Sequence, residues 1–110
     1  MTNSGLLDSL TAELGDVVIT DPDILASYRQ DRAEDPDAGT PLALLRPRTT
    51  ADVQTAVRWC AANSVPIVTR GQGTSLSGGA TAVDGAVMLT TERMSTIVID
   101  TATRTAVCEP

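Results

Sequence analysis

Two apolar segments on either side of a helical pattern constrain the fold of this chain more than any other feature. Residues 42–45 form a continuous apolar run between Pro41 and Pro47, which is typical of a strand buried on both faces. Apolar residues then recur at helical spacing up to Asn63, with Cys60 on the apolar face. Either Thr49 or Thr50 can cap the start of this helix. A second apolar run at residues 67–69 completes a strand–helix–strand unit, for which parallel strands require a right-handed crossover.

Weaker patterns predict the remaining elements. Leucines at positions 6, 7, 10 and 14 recur at helical spacing between Ser4 and Gly15, and Asp21 and Pro22 begin a second helical stretch that extends to Arg32. We expect Asn63 to take the left-handed position at the end of the central helix. Four further apolar runs predict extended segments: residues 17–19, residues 86–89, and residues 97–99 with 105–108 as a hairpin. The predicted fold class is α+β.

Charge and turn-forming residues divide the chain in two. Residues 1–40 contain nine acidic residues and two arginines, a balance of −7, whereas the remainder contains five acidic residues and six arginines, a balance of +1. A polar loop at residues 33–41 contains Pro36, Gly39 and Pro41. We therefore predict an N-terminal helical arm and linker at residues 1–40 and a folded unit at residues 41–110.

The composition excludes several classes of function. The chain has no histidine and no lysine, so it cannot use histidine acid–base chemistry, a Schiff-base lysine or a P-loop. Its net charge of −6 argues against binding a nucleic-acid backbone. Two cysteines without metal-site spacing, and the lack of a signal peptide or a long apolar stretch, predict a cytoplasmic protein without a transmembrane segment, with peripheral membrane association left open.

One segment, residues 70–80, lacks any hydrophobic period and is called the glycine loop below. Within it, residues 71–80 contain four glycines and three hydroxyl side chains. Such a loop can converge backbone N–H groups on an anion, although glycine content alone fits a mobile or tightly turned connection equally well. A dinucleotide-binding GxGxxG pattern fails because Leu76 occupies the third glycine position.

The glycine loop, together with the strand before it, matches a different phosphate-binding pattern. Residues 66–80, PIVTRGQGTSLSGGA, resemble the FAD pyrophosphate loop of the FAD-linked oxidase family with a PCMH-type (vanillyl-alcohol-oxidase-like) domain, most of all the branch of glycolate oxidase FAD subunits and D-lactate dehydrogenases. The resemblance covers residues 23–110 and includes Tyr28 with Asp31, the strand LALLRP and the final VCEP.

The resemblance implies a site for the FAD diphosphate in the glycine loop. Its residues would be Gly71, Gln72, Gly73, Thr74, Ser75, Ser77, Gly78 and Gly79, mostly through backbone amides, with Arg70 either as a phosphate contact or in a buried salt bridge. Some relatives attach the flavin through a histidine at the position of Thr74. Because this chain has no histidine and no cysteine in the loop, we expect non-covalent FAD.

The resemblance also implies an activity: oxidation of a small 2-hydroxy acid by hydride transfer to flavin N5. The catalytic base of the family lies beyond residue 110, so no catalytic residue is assigned and the chain is expected to be an N-terminal portion of the enzyme. Such a portion would expose an apolar face and could self-associate through it. The alternative is an α/β fragment without turnover that acts as an anion-binding or interaction module.

Overall fold

Three helices and six strands follow one another in a computed structural model that describes residues 3–110. In chain order, the elements are α1 (Asn3–Leu14), a 3₁₀ turn (Gly15–Val17), β1 (Val18–Ile19), α2 (Pro22–Ser27), β2 (Ala43–Leu45), α3 (Thr50–Ala62), β3 (Ile67–Arg70), β4 (Val87–Thr90), β5 (Ile97–Asp100) and β6 (Thr105–Cys108). The α+β class predicted from the sequence is confirmed. The predicted arm, residues 1–40, includes Met1 and Thr2, which lie outside the described residues.

The main sheet has the strand order β1-β2-β4-β3. Strand β4 lies in the centre and runs parallel to both β2 and β3, so that Met88 faces Leu44 on one side and Val68 on the other. The predicted strand–helix–strand unit is therefore split, because β2 and β3 do not pair with each other. The local pattern could not show this, but β4 is buried at all four positions, as expected of a central strand.

The sheet buries a different apolar layer on each face. On one face, Leu45, Val87 and Leu89 pack with Leu10 of α1 and Trp59 of α3. On the other face, Leu44 and Met88 pack against Leu25 of α2 and Ala82. This alternation along β2 and β4 follows from the two-residue period of a strand. Cys60 belongs to the first layer, as its helical position predicted.

The ends of α3 correct one prediction and refine another. Thr49 is the N-cap, and its hydroxyl accepts a hydrogen bond from the amide of Asp52 at 3.1 Å. Asn63 does not adopt the left-handed conformation, since its φ is −104°. Instead its side-chain amide donates to the carbonyl of Trp59 at 2.8 Å, and the following residue, Ser64, has the positive φ of 54°.

The two N-terminal helices also differ from the predicted limits. Helix α1 begins at Asn3, before the expected cap at Ser4, and α2 ends at Ser27 rather than at Arg32. Tertiary contacts explain the early end of α2: the Arg29 carbonyl accepts from the amide of Ala82 at 2.8 Å, and the Arg29 side chain donates to the carbonyl of Gly39 at 2.8 Å and to that of Ala38. These bonds hold residue 29 outside a helix.

Residues 3–40 are packed onto the rest of the described chain. Helix α1 contacts α3, and β1 extends the main sheet by pairing antiparallel with β2.

At the other end of the chain, β5 and β6 form the predicted hairpin as a separate two-stranded sheet, and all eight of its strand residues are exposed. No helix within residues 3–110 combines the length and apolar character needed to cross a bilayer.

Candidate functional site

The carboxyl ends of β2, β3 and β4 meet at one edge of the sheet because these strands are parallel. The glycine loop begins at this edge, where Arg70 ends β3, and the chain returns from it to the start of β4. Arg46 and Glu92 follow the other two strands at the same edge. In open sheets with parallel strands, ligands bind in the crevice beyond the carboxyl ends.

The glycine loop surrounds a cavity of about 460 Å³. Its wall is formed by Thr69, Arg70, Gly71, Gln72, Gly73, Thr74, Ser75, Gly79 and Ala80. Seven of the nine predicted site residues therefore share one cavity. The other two, Ser77 and Gly78, lie outside its wall: the Ser77 amide donates to the Ser75 hydroxyl at 3.3 Å, and the Gly78 carbonyl accepts from the amide of Thr81 at 3.1 Å.

The glycine loop carries a set of uncommitted backbone donors. Across residues 71–79, only the amide of Ser77 donates to an atom of residues 3–110. The cavity wall contains no acidic side chain, and its one charged group is the guanidinium of Arg70. Unpaired N–H groups next to a cation, without a competing carboxylate, form a site with the donor chemistry that an anion requires.

Two glycines give the loop its shape. Gly73 and Gly78 have φ values of 71° and 81°, a region that residues with a Cβ rarely adopt. A Cβ on Gly73 would also overlap the Nη2 and Cζ atoms of Arg70, whereas a Cβ on Gly78 would lie 3.4 Å from the hydroxyl of Thr81. The conformation of the loop therefore favours glycine at both positions.

The segment that follows α2 contacts the Arg70 side chain through hydrogen bonds and an aromatic ring. Its Nη1 donates to the carbonyl of Gln30 at 2.8 Å and, less closely, to that of Tyr28 at 3.5 Å. Its Cζ lies 5.1 Å from the centre of the Tyr28 ring, within the range of a cation–π contact. Arg70 forms no ion pair with any described residue, so the salt bridge considered from the sequence is replaced by carbonyl acceptors and an aromatic face.

Sequence reasoning did not foresee a polar network beside Arg70. The Tyr28 hydroxyl donates to Oε1 of Glu92 at 2.7 Å, and Nε of Arg46 lies 2.8 Å from the same oxygen in an ion pair without hydrogen-bond alignment. Burial, followed by the hydrogen bond to Glu92, raises the pKa of the Tyr28 phenol. The signal that points to Arg46 and Glu92 is their position just after buried parallel strands.

A second cavity, of about 270 Å³, lies next to the first. Gly71 and Gln72 line both cavities, and the second extends between the β4–β5 connection and the end of β6. The residues that complete it are Thr91, Glu92, Met94, Ser95, Ile97, Cys108, Glu109 and Pro110. Within residues 3–110, no cluster of three or more histidine, cysteine or carboxylate side chains is suited to a metal ion.

Comparison with known proteins places this site in a family. The FAD binding domain family matches residues 41–110. The D-2-hydroxyglutarate dehydrogenase of Stutzerimonas stutzeri is 37% identical over 112 residues, which is 100% of this chain and 24% of that protein. The D-lactate dehydrogenase of Archaeoglobus fulgidus is 32% identical over 73 residues, 66% of this chain and 16% of that protein. Among solved structures, p-cresol methylhydroxylase with bound substrate has a TM-score of 0.72 at 27% identity, over 88% of this chain and 20% of that one.

The chain therefore belongs to the FAD binding domain family and is related to 2-hydroxy acid dehydrogenases. The resemblance seen in residues 66–80 is confirmed, and FAD is the cofactor of the family. The site fits that cofactor: free amides, a nearby guanidinium and the lack of wall carboxylates suit a diphosphate. The chain spans about a quarter or less of the length of these relatives.

Proposed function

We propose that this chain forms the diphosphate-binding part of an FAD-dependent oxidoreductase that oxidises a small 2-hydroxy acid of the glycolate or D-lactate type. The observation that carries the proposal is the row of unpaired amides in the glycine loop, which surrounds a cavity without acidic side chains at the carboxyl edge of a parallel sheet. The substrate class is supported by the names of the related D-2-hydroxyglutarate and D-lactate dehydrogenases.

The proposed roles divide the glycine loop into two groups. The amides of Gly71, Gln72, Gly73, Thr74 and Ser75 and of Gly79 hold the diphosphate oxygens, and the hydroxyls of Thr74 and Ser75 and the Arg70 guanidinium supplement them. Ser77 and Gly78 shape the loop through their own hydrogen bonds and the positive φ of Gly78. When bound, FAD supplies the flavin ring that accepts a hydride at N5.

We further propose that the FAD is bound without a covalent link, because the chain has no histidine and neither cysteine lies in the glycine loop. Residues 41–110 form the cofactor-binding part, and residues 1–40 form an arm, of which residues 3–40 pack onto it. Two free cysteines in the described residues fit a reducing compartment, and we place the protein in the cytoplasm.

The experiment is a ligand titration of the complete gene product, purified as apoprotein. We expect FAD and ADP to bind, and FMN, which lacks the diphosphate, to bind far more weakly. Anaerobic addition of glycolate, D-lactate or D-2-hydroxyglutarate should then bleach the flavin absorbance. Binding of pyrophosphate without FAD would instead support an anion-binding module, and absence of both would overturn the proposed site.

A further inference from the structure

We infer that residues 28–31, called the brace below, set the FAD affinity of the glycine loop without contacting the cofactor. The brace follows α2 and belongs to the N-terminal arm, and none of its residues lines the 460 Å³ cavity. It nevertheless bonds to both ends of the glycine loop. This inference rests on the proposed function and assigns positioning residues to that site.

At the first end of the loop, the brace holds Arg70. The carbonyls of Tyr28 and Gln30 accept hydrogen bonds from the Arg70 guanidinium, and the Tyr28 ring lies against it. Gly73 packs directly over this guanidinium, since a Cβ at that position would overlap it. The first turn of the loop therefore packs on a side chain that the brace holds in place.

At the second end, the brace holds Ala80 through Asp31. The Asp31 side chain is 5% exposed, and its Oδ2 accepts a hydrogen bond from the amide of Ala80 at 3.2 Å, while Oδ1 accepts from the amide of Ala33 at 2.9 Å. Two residues further on, the amide of Ala82 donates to the carbonyl of Arg29 at 2.8 Å. Both carboxylate oxygens of Asp31 are thus used as acceptors, and one of them bonds directly to the loop.

Anchoring at both ends matters because the loop between them has little structure of its own. Apart from Ser77, no amide of residues 71–79 bonds to the described part of the chain. A loop whose ends are fixed loses less conformational entropy when its amides converge on a ligand. The brace therefore preorganises the loop, and weakening it should slow and weaken binding without removing any ligand contact.

The variant Asp31→Asn tests this at the second end. The amides of Ala33 and Ala80 donate to different oxygens of Asp31, and asparagine replaces one of these oxygens with an NH₂ group, which would face one of the two N–H donors. We expect the Kd for FAD to rise roughly tenfold, the equivalent of one charge-assisted hydrogen bond. The Kd for ADP should rise by the same factor, mainly through slower association, because the loop contacts the diphosphate that both ligands share.

Asp35→Asn is the matched control, because it makes the same substitution outside the brace. Asp35 is exposed, and its side chain accepts a hydrogen bond from the amide of Asp37 at 2.9 Å, which an asparagine oxygen can also accept. The Kd values of this variant should equal those of the wild type. All titrations are made well below the unfolding midpoint of each protein, so that a loss of stability alone does not change the Kd.

The outcomes separate the two proposals. If Asp31→Asn lowers the unfolding midpoint but leaves both Kd values unchanged, Asp31 is merely structural and the inference is wrong. If the wild type binds neither FAD nor ADP, the proposed function is wrong and the inference falls with it. Should Asp31→Asn not fold, hydrogen exchange of the wild-type apoprotein decides: we expect slow exchange at Ala80 and Ala82 and fast exchange at residues 71–76, and equal rates would overturn the inference.

Discussion

The guanidinium of Arg70 lies directly beneath Gly73, where a Cβ atom would overlap it. The Arg70 cation thus packs against the turn at Gly73, and the amides of this turn donate to no acceptor within residues 3–110. Arg70 comes from the end of the half-buried parallel strand β3, and its guanidinium donates to carbonyls of the N-terminal arm. The geometry of the glycine loop is therefore a property of the folded sheet and the arm together.

Replacing Gly73 or Gly78 with valine should abolish FAD binding while the sheet remains folded. Both glycines have a positive φ, which a β-branched side chain strongly disfavours, and the Gly73→Val side chain would in addition displace Arg70. The loop contributes little to the apolar layers, so the circular dichroism should stay close to that of the wild type. Flavin content and circular dichroism of Gly73→Val and Gly78→Val measure the two effects.

Gly85→Ala is the control for strain alone. Gly85 has a φ of 79°, lies outside the cavity wall and has open space where a Cβ would stand. This variant should lose a small amount of stability and keep its flavin. Full flavin occupancy in both valine variants would remove the glycine loop from the cofactor site.

Replacing Thr74 with alanine should have a milder effect. The substitution removes one hydroxyl donor from the cavity wall but leaves the unpaired backbone amide in place. We expect a loss of about 1 kcal/mol of binding free energy, or roughly a fivefold rise in the Kd for FAD. Isothermal titration of Thr74→Ala beside the wild type tests this, and a loss as large as that of Gly73→Val would show that the hydroxyl, rather than the amides, dominates the site.

The two cysteines should differ in reactivity and in their effect on alkaline stability. Cys108 is exposed and should react at once with a thiol reagent, whereas Cys60 is buried and its burial raises the thiol pKa to about 11 from an ordinary value of 9.0. Between these values the unfolded chain gives up the Cys60 proton and the folded chain keeps it, so the free energy of unfolding should fall as pH rises from about 9 to about 11.

Urea unfolding at several pH values in this range, on the wild type and on Cys60→Ala, isolates the effect. The pKa of Tyr28 is also raised, so Tyr28 lowers the free energy of unfolding at high pH in both the wild type and Cys60→Ala. The fall should therefore be shallower in Cys60→Ala. Identical slopes in the two proteins would contradict the assignment of the decline to Cys60.

Local patterns in the sequence predicted the elements well because each signal is short-ranged. The apolar runs at residues 42–45 and 86–89 and the helical spacing that includes Cys60 depend only on neighbouring residues. The insertion of β4 between β2 and β3 was not predictable, because strand order depends on which strand buries both faces and both edges. The early end of α2 has a similar origin, since Arg29 bonds to residues far along the chain.

For the candidate site, the sequence indicated the glycine loop but not its surroundings. Glycine spacing shows where backbone can approach a ligand, and that information is local. The hydrogen bond from the Ala80 amide to the Asp31 carboxylate spans 49 positions of the sequence, and the hydrogen bond from Tyr28 to Glu92 spans 64. Contacts at such separations follow from the sheet topology, which no local pattern encodes.

The β5–β6 hairpin should drive self-association of the 110-residue chain. Ile97, Ile99 and Val107 are 62%, 67% and 70% exposed, and the hairpin forms its own two-stranded sheet, whose edges pair with no other strand of residues 3–110. The double variant Ile97→Thr/Ile99→Thr keeps β-branched residues, and hence strand propensity, while removing apolar surface. Sedimentation velocity should show less association in this variant, whereas Val57→Thr, which alters an exposed valine on α3, should behave like the wild type. A wild-type chain that stays monomeric at high concentration would show that the hairpin does not associate.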